Sequence, residues 1–187
     1  MDVSDTGFSL FETPIGACGI AWSPTGIIGL HLPETGRILA LRNLQRRFPG
    51  AEEGEPTPGI ERAIARIAAF LGGAKDDFAD IALDDRGLGD FDRGVYRETR
   101  AIPAGSTATY GEIAARLGDA DQARAVGQAL GRNPWPIVVP CHRVTAADGR
   151  MGGFSAPGGT ATKLKLLEIE GALAVETLPL FGAPARP

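Results

Sequence analysis

The chain has 187 residues, 43% of them hydrophobic, and a formal net charge of −4. This length allows one large domain or two small ones, and the apolar fraction suffices for a buried core. No apolar run approaches the roughly 20 residues of a membrane span and no signal-peptide pattern is present, so we expect a cytoplasmic protein without membrane contact.

The chain contains two cysteines, Cys18 and Cys141, and no C-x-x-C pattern. Two thiols without a signal peptide argue against a disulfide framework, and the few Cys and His residues argue against a four-ligand zinc site. We therefore expect reduced thiols, no bound metal and no cofactor.

The first half of the chain is predicted to form an α/β domain. Apolar stretches in residues 8–32 are separated by Pro- and Gly-containing turns, a spacing typical of a β-meander and hence of a small antiparallel sheet. The acidic stretch 50–58 is predicted as a loop, with Thr57 as the cap of the following helix and Gly72 as its end. The two predicted helices have apolar faces formed by Ile38, Leu41, Leu44 and Phe48 and by Ile60, Ile64, Ile67 and Leu71.

Residues 84–89 are predicted to link this domain, residues 1–85, to a second domain over residues 86–171. Just before the linker, Ala79, Ile81 and Leu83 recur at every second position, as in a strand. Residues 1–85 carry 7 Lys or Arg against 13 Asp or Glu, whereas residues 86–171 carry 11 against 9. The second domain therefore has a modest basic face that can meet nucleic acid. Its arginines over 123–150 are Arg124, Arg132, Arg143 and Arg150.

The second domain is predicted to be mostly helical. Thr109 and Glu112 form a capping box for a short helix that Gly118 ends, and Asp121 is the predicted cap of the next helix, 123–130. Two short helices around a Gly-containing turn are the outline of a helix-turn-helix, with 123–130 as the recognition helix. The remaining predicted segments are a helix on Phe91, Val95, Thr99 and Ile102, a helix over 160–170, and a loose Pro-rich tail over 172–187.

The most informative stretch is the pentapeptide PCHRV at 140–144. It follows the apolar run 137–139, which is predicted as a short buried strand. Cys141 would then emerge where a strand ends and a loop begins, a common position for a nucleophile. A rigid turn, NPWP at 133–136, precedes this run, and a glycine-rich loop, MGGFS at 151–155, follows the pentapeptide.

Residues 110–171 resemble the catalytic domain of the O6-alkylguanine-DNA alkyltransferases, the methylated-DNA–protein-cysteine methyltransferases. The resemblance is specific, because it needs the pentapeptide, the upstream Arg124 and Asn133, and the downstream Ser155 and Glu170 at once. It implies a monomer that repairs double-stranded DNA by moving a methyl or alkyl group from O6-alkylguanine to its own cysteine, once per molecule. O4-alkylthymine is a further candidate substrate. The resemblance also implies a ribonuclease-like fold for residues 1–85.

The resemblance assigns catalytic roles to four residues. Cys141 would accept the alkyl group, because attack on an alkyl carbon needs a soft sulfur nucleophile and no oxyanion hole. Neighbouring residues of an extended strand point to opposite faces, so His142 is expected to reach the thiol through a water. Glu170 would orient His142, although Glu168 fits the helical periodicity equally well. Asn133 would tie the recognition helix to the cysteine segment.

The resemblance also implies that helix 123–130 lies in the minor groove of DNA. Arg124, a single long side chain among small residues, would take the place of the flipped-out alkylated guanine, and Tyr110 would help rotate that nucleotide. Gly152, Gly153 and Ser155 would line the guanine pocket. The other predicted substrate- or DNA-binding residues are Ala123, Gly127, Arg132, Arg143 and Val144.

Three other functions compete with this interpretation. A lesion-binding protein of the alkyltransferase-like kind would flip the base without repairing it, but such relatives lack the cysteine. A helix-turn-helix regulator would need base-reading side chains, and the small residues of 123–130 provide almost none. A cysteine hydrolase would need an oxyanion hole and would turn over repeatedly.

Overall fold

The computed structural model describes residues 6–34, 36–147 and 151–172, so the predicted tail lies outside the described residues except for Ala172. The first half contains a sheet in the order β3-β2-β1-β4. Its first three strands are antiparallel, as predicted, whereas β4 pairs parallel with β1. The sheet is therefore mixed rather than antiparallel, and the predicted loop at 50–58 contributes its fourth strand. The strands are β1 (Gly7–Phe11), β2 (Cys18–Ser23), β3 (Gly26–His31) and β4 (Glu52–Glu53).

The chain returns from β3 to β4 through helix α1 (Arg37–Arg47), which packs on the sheet. Leu44 is fully buried, as predicted, but Ile38 is 70% exposed. The helix buries only Ala40 and Leu44, so its buried face is narrower than the apolar periodicity predicts.

Helix α2 (Pro58–Leu71) has the predicted limits. Pro58 occupies the first turn, where its missing N–H costs nothing, and Gly72 follows the last residue. Thr57 precedes the helix, although its side chain makes no capping hydrogen bond.

Residues 79–83, predicted as a strand, form only an isolated bridge between Leu83 and Ile27. Asp84 is then held by the sheet, because Ser23 Oγ donates to Asp84 Oδ2 at 2.6 Å. The Asp84 backbone N–H also donates to the Ile27 carbonyl at 2.9 Å. The predicted linker therefore begins at a point that the first half of the chain anchors.

The described part of the second half is mostly helical. Thr109 Oγ1 accepts from the Glu112 N–H at 3.1 Å, and Glu112 Oε2 accepts from the Thr109 N–H at 2.6 Å, which is the predicted capping box. The predicted cap at Asp121 is wrong, because Asp119 caps an intervening 3₁₀ turn, Ala120–Gln122. The elements are α3 (Asp90–Arg100), β5 (Ala108–Thr109), α4 (Tyr110–Arg116), α5 (Ala123–Gly131), β6 (Val144–Thr145) and α6 (Thr160–Ile169).

The two halves share one apolar core. Trp135 Nε1–H donates to the Ile27 carbonyl at 2.7 Å, and the Leu30 N–H donates to the Pro134 carbonyl at 2.8 Å. Strand β3 thus holds the turn that precedes the pentapeptide. Within residues 6–34, 36–147 and 151–172, no helix has both the length and the apolar character needed to cross a membrane.

Candidate active site

The pentapeptide forms a short 3₁₀ turn, Cys141–Arg143, that follows another turn and not a strand. Residues 137–139 are buried, as predicted, but the Val139 N–H donates to the Trp135 carbonyl at 2.8 Å. The predicted strand is wrong because a three-residue apolar run specifies burial and not backbone shape. Ile137 has a φ of 79°, which a β-branched residue rarely adopts. Such strain persists only where surrounding contacts hold it, and it collects at functional sites.

Asn133 connects this turn to the thiol. Its buried Nδ2 donates to Cys141 Sγ at 3.2 Å and to the Val139 carbonyl at 2.8 Å. Its Oδ1 accepts from the Trp135 N–H at 2.9 Å, which fixes the orientation of the amide. A donor aimed at sulfur stabilises the thiolate relative to the thiol. The structure thus brings the predicted Asn133 into contact with the predicted nucleophile.

The thiol of Cys141 is buried, with 8% of the residue exposed. Burial raises the pKa of Cys141, and the hydrogen bond from Asn133 and the positive charge of Lys163 offset only part of that rise. The sulfur is therefore protonated at neutral pH. Nucleophilic attack requires a base that removes this proton.

His142, the next residue in the chain, is the candidate for that base. Its Nε2 lies 2.8 Å from Glu170 Oε1. A carboxylate only accepts hydrogen bonds, so the histidine proton lies on Nε2 and Nδ1 is an acceptor. Nδ1 is buried and has no hydrogen-bonding partner among the described residues. Burial lowers the pKa of His142, so its imidazole is neutral at neutral pH and can take up a proton.

Glu170, and not Glu168, meets the histidine. Glu170 directly follows α6 and also accepts from Arg143 Nε at 3.0 Å and Nη2 at 2.7 Å. Burial alone would raise the pKa of Glu170, but the hydrogen bonds from His142 and Arg143 lower it to about 2. Glu168 is exposed and pairs with Lys165 at 3.6 Å. The structure therefore decides between two glutamates that helical periodicity left equivalent.

Arg143, predicted to bind substrate or DNA, is buried, so the structure does not place its side chain on the surface. Besides Glu170, its guanidinium binds the Ile102 carbonyl through Nη1 at 2.6 Å. The reason is electrostatic, since a cation inside the protein must be paired. Val144, also predicted to bind substrate or DNA, is fully buried, and its carbonyl accepts a hydrogen bond from Lys163.

Lys163 is a candidate functional residue that the sequence-based predictions missed. Its buried Nζ donates to the Val144 carbonyl at 2.6 Å and to the Met151 carbonyl, which joins the pentapeptide to the glycine-rich loop. Burial lowers the pKa of Lys163 to about 8, while interaction with Cys141 acts to raise it. Its position one turn before Leu166 on the buried face of α6 was the available signal.

Tyr110, the first residue of α4, lies against the glycine-rich loop. A Cβ on Gly152 would lie 2.8 Å from Tyr110 Oη, and Gly152 has a φ of 67°, so only glycine fits. Tyr110 also faces Gly127 of α5, where an added Cβ would lie at an ordinary contact distance of 3.8 Å. The ring thus sits between the predicted recognition helix and the loop. Gly153 and Ser155 are exposed on that loop.

The first turn of α5 presents Arg124 to solvent, beside the partly buried Ala123. Among the hydrogen bonds and ion pairs of the described residues, none involves Arg124. Arg132, just beyond α5, is also exposed and pairs with a carboxylate of α3 at 3.2 Å. Arg150 lies outside the described residues. Of the four arginines of the predicted basic face, Arg124 and Arg132 are therefore the two that the structure shows on the surface.

A pocket of about 530 Å³ lies beside the Cys141 sulfur. Cys141 and Asn133 contribute to its lining, together with Phe154 and Ser155 of the glycine-rich loop. Its volume is that of a site for a small molecule. The arrangement combines a thiol, a neutral imidazole on the neighbouring residue whose Nδ1 has no hydrogen-bonding partner among the described residues, and an open space beside the sulfur.

Comparisons with known proteins identify the family that this chain resembles. A family model described as 6-O-methylguanine DNA methyltransferase, DNA binding domain, matches residues 90–172. The methylated-DNA–protein-cysteine methyltransferase of Mycobacterium tuberculosis is 41% identical over 162 residues, which are 85% of this chain and 94% of that protein. A DNA base-flipping protein of Thermus thermophilus is 38% identical over 153 residues, which are 81% of this chain and 99% of that protein.

A solved structure shows the same fold. The crystal structure of Mycobacterium tuberculosis OGT in complex with DNA superposes with a TM-score of 0.70 at 33% identity. The match covers 89% of this chain and 93% of that chain.

Proposed function

This chain belongs to the methylated-DNA–protein-cysteine methyltransferase family, and we propose that it repairs DNA by moving the alkyl group of O6-alkylguanine onto Cys141. One observation carries the residue assignment. The thiol of Cys141 is held by Asn133, beside a histidine whose Nδ1 has no partner among the described residues.

The proposed reaction begins with proton transfer. His142 Nδ1 removes the proton of the Cys141 thiol through one water, while Glu170 keeps Nε2 protonated and the ring in place. The thiolate then attacks the alkyl carbon, and a C–S bond forms as the C–O6 bond breaks. The electron pair of the broken bond goes to the guanine, which takes up a proton and is restored.

The product explains why one molecule acts once. A thioether is not readily hydrolysed, so Cys141 is not regenerated. Attack at an alkyl carbon forms no tetrahedral oxyanion intermediate, so the site needs no oxyanion hole of the acyl-transfer kind. The interaction of Lys163 with Cys141 instead lowers the pKa of the sulfur.

For DNA binding, we propose that α4 and α5 form a helix-turn-helix with α5 in the minor groove. Arg124 would enter the duplex in place of the flipped alkylguanine, and Tyr110 would help rotate the nucleotide. The exposure of Arg124 supports this role, as does the position of Tyr110 between α5 and the loop that carries Gly152 and Ser155.

The domain organisation is part of the same proposal. Residues 1–85 would form a ribonuclease-like domain, residues 86–171 the catalytic domain, and residues 172–187 a tail, all in a monomer. The element order supports this division, because the four-stranded sheet lies entirely within residues 7–53 and the catalytic groups lie entirely beyond residue 109.

The similarity to a DNA base-flipping protein favours one alternative, namely lesion recognition without repair. Such a protein has no use for a nucleophile or for a base that activates it. The contacts of Cys141 with Asn133 and of His142 with Glu170 therefore favour transfer. A regulator or a cysteine hydrolase has no comparable support.

A stoichiometric assay tests the proposed function. We expect duplex DNA with labelled O6-methylguanine to transfer one methyl group per protein molecule, and peptide mapping to locate it on Cys141. Cys141→Ser should bind the lesion without accepting the label, whereas Cys18→Ser should behave as the wild type. Repeated turnover, or label on Cys18, would contradict the proposal.

A further inference from the structure

Under the proposed function, the pocket beside Cys141 holds the flipped guanine together with its O6 substituent. It encloses about 530 Å³, a volume typical of sites for whole small molecules. Pro136 and Phe154 line it from the catalytic half. The first half of the chain supplies the remaining wall, where β3 ends and α1 passes. The sulfur therefore faces a space that can hold a substituent longer than methyl.

This wall from the first half of the chain is cationic. It contains Arg46 and Arg47 of α1. The acidic side chain among the described lining residues is Glu34, and two neighbours already bind it. His31 Nε2 lies 3.3 Å from one carboxylate oxygen, and Asn43 Nδ2 donates to the other at 2.5 Å. Positive charge therefore dominates this side of the pocket.

The two arginines bind neutral oxygens and keep their charge available. Arg46 Nη2 donates to Asn43 Oδ1 at 3.0 Å, and Arg47 Nη2 donates to the Asn133 carbonyl at 3.5 Å. Within the described parts of the chain, neither guanidinium forms an ion pair. Asn133 is also the residue that donates to Cys141 Sγ, so the Arg47 guanidinium contacts an immediate neighbour of the reacting sulfur.

We propose that this pocket accepts O6-alkyl groups that end in a carboxylate, carboxymethyl being the simplest, and that Arg46 and Arg47 bind that carboxylate. The inference rests on the proposed function, because the alkyl group must be on its way to Cys141. The bond changes are those of methyl transfer. The S–CH₂ bond forms, the CH₂–O6 bond breaks with its electron pair going to guanine, and the carboxylate is unchanged.

An anionic substituent requires such a wall. Its carboxylate is bonded directly to the carbon that the thiolate attacks, so two negative charges approach each other in a partly desolvated pocket. A guanidinium offers paired donors that match the two carboxylate oxygens and opposes this repulsion. An uncharged group of the same size has no such repulsion to relieve. The arginines should therefore respond to charge and not to bulk.

The test uses three duplexes that differ only in the O6 substituent of one guanine. The substituents are methyl, carboxymethyl and the uncharged carbamoylmethyl, which closely matches carboxymethyl in size. Single-turnover transfer rates are measured for the wild type, Arg46→Gln, Arg47→Gln and the double variant. Arg42→Gln is the matched control, because Arg42 is an exposed α1 arginine that does not line the pocket.

The decisive quantity is the rate for carboxymethyl divided by the rate for carbamoylmethyl in the same protein. We expect this ratio to fall about tenfold in the double variant, the scale of a partly screened charge pair, and to fall with added salt in the wild type. Arg42→Gln should keep the wild-type ratio. Because both rates are measured in the same protein, lowered stability does not distort their ratio. If Arg47→Gln does not fold, the ratio measured in Arg46→Gln provides the test.

The experiment distinguishes failure of the carboxylate site from failure of the proposed function. A ratio that is the same in the wild type and the double variant, while methyl transfer proceeds, overturns the carboxylate site alone. Absence of transfer from all three duplexes by the wild type overturns the proposed function instead.

Discussion

Nε2 of His142 lies 2.8 Å from Oε1 of Glu170, although the two residues are 28 positions apart in the sequence. The contact exists because the end of α6 meets the 3₁₀ turn that carries the histidine. One carboxylate thereby sets the tautomer of His142 and neutralises the buried Arg143. Proton transfer and the neutralisation of Arg143 therefore depend on the same carboxylate.

Glu170→Gln should slow alkyl transfer by about a hundredfold, because the amide no longer holds His142 in the tautomer that accepts the thiol proton. DNA affinity should stay nearly unchanged, since the side chain is buried away from the surface. Glu168→Gln, an exposed change two positions earlier, is the control and should keep the wild-type rate. Single-turnover kinetics and DNA titration measure the two quantities. A Glu170→Gln protein that repairs at the wild-type rate would exclude the relay.

The pH dependence of transfer should follow His142. Burial lowers the pKa of its imidazole below the ordinary value of 6.5, so the ring stays neutral through the neutral range. An imidazolium cannot accept the thiol proton, and the rate should fall as pH drops through this lowered pKa. Single-turnover rates measured from about pH 5 to about pH 8 would show a midpoint below 6.5. A midpoint above 6.5 would mean that the ring is not desolvated as the structure shows.

Lys163→Met should change how stability depends on pH. Burial lowers the Lys163 pKa to about 8 from 10.5, so between these values the unfolded chain binds more protons and stability rises with pH. The buried thiols of Cys18 and Cys141 have raised pKa values and change stability with pH in the opposite direction. The informative quantity is therefore the free energy of unfolding of the wild type minus that of Lys163→Met.

Denaturant unfolding from about pH 7 to about pH 10 measures this difference for Lys163→Met. At pH values above about 8, the free energy of unfolding of the wild type minus that of the variant should rise by up to about 1.4 kcal/mol per pH unit. Lys165→Met, an exposed change on the same helix, should show no such slope. A flat difference for both variants would show that Lys163 is not desolvated. Loss of its charge beside Cys141 should also slow alkyl transfer.

Arg124→Ala should slow repair of duplex DNA far more than reaction with the free alkylated base. The free base needs no flipping, and Arg124 acts only in the duplex under the proposed mechanism. We expect a loss of about tenfold or more on duplex DNA, because unstacking a nucleotide costs a few kcal/mol. Arg62→Ala, an exposed arginine of α2, is the control. Equal losses on both substrates would exclude the intercalating role.

Local sequence signals correctly predicted several elements of the fold. The limits of α2, the capping box of Thr109 and Glu112, and the three-stranded meander depend on residues a few positions apart, and each lies where the sequence predicts it. The motif around Cys141 likewise identified the family, because nucleophile, turn and loop follow one another in the chain.

Tertiary structure decided the features that depend on distant partners. The acidic residues of β4 pair with β1, and Leu83 forms no more than a bridge, because strand formation needs a neighbouring edge and not only an apolar pattern. The run at 137–139 is a turn because Asn133 and Trp135 bind its backbone.

Distant partners also explain why two charged side chains are buried. Arg143 and Lys163 look like surface residues in the sequence, since long charged side chains are exposed unless they find partners. Glu170 neutralises the arginine, and the carbonyls of Val144 and Met151 accept from the lysine. The sequence by itself predicted the groups that are proposed to react at Cys141. Only the fold, by bringing partners from α6 and the loops to one place, decided which charges are buried beside it and which remain free to meet DNA.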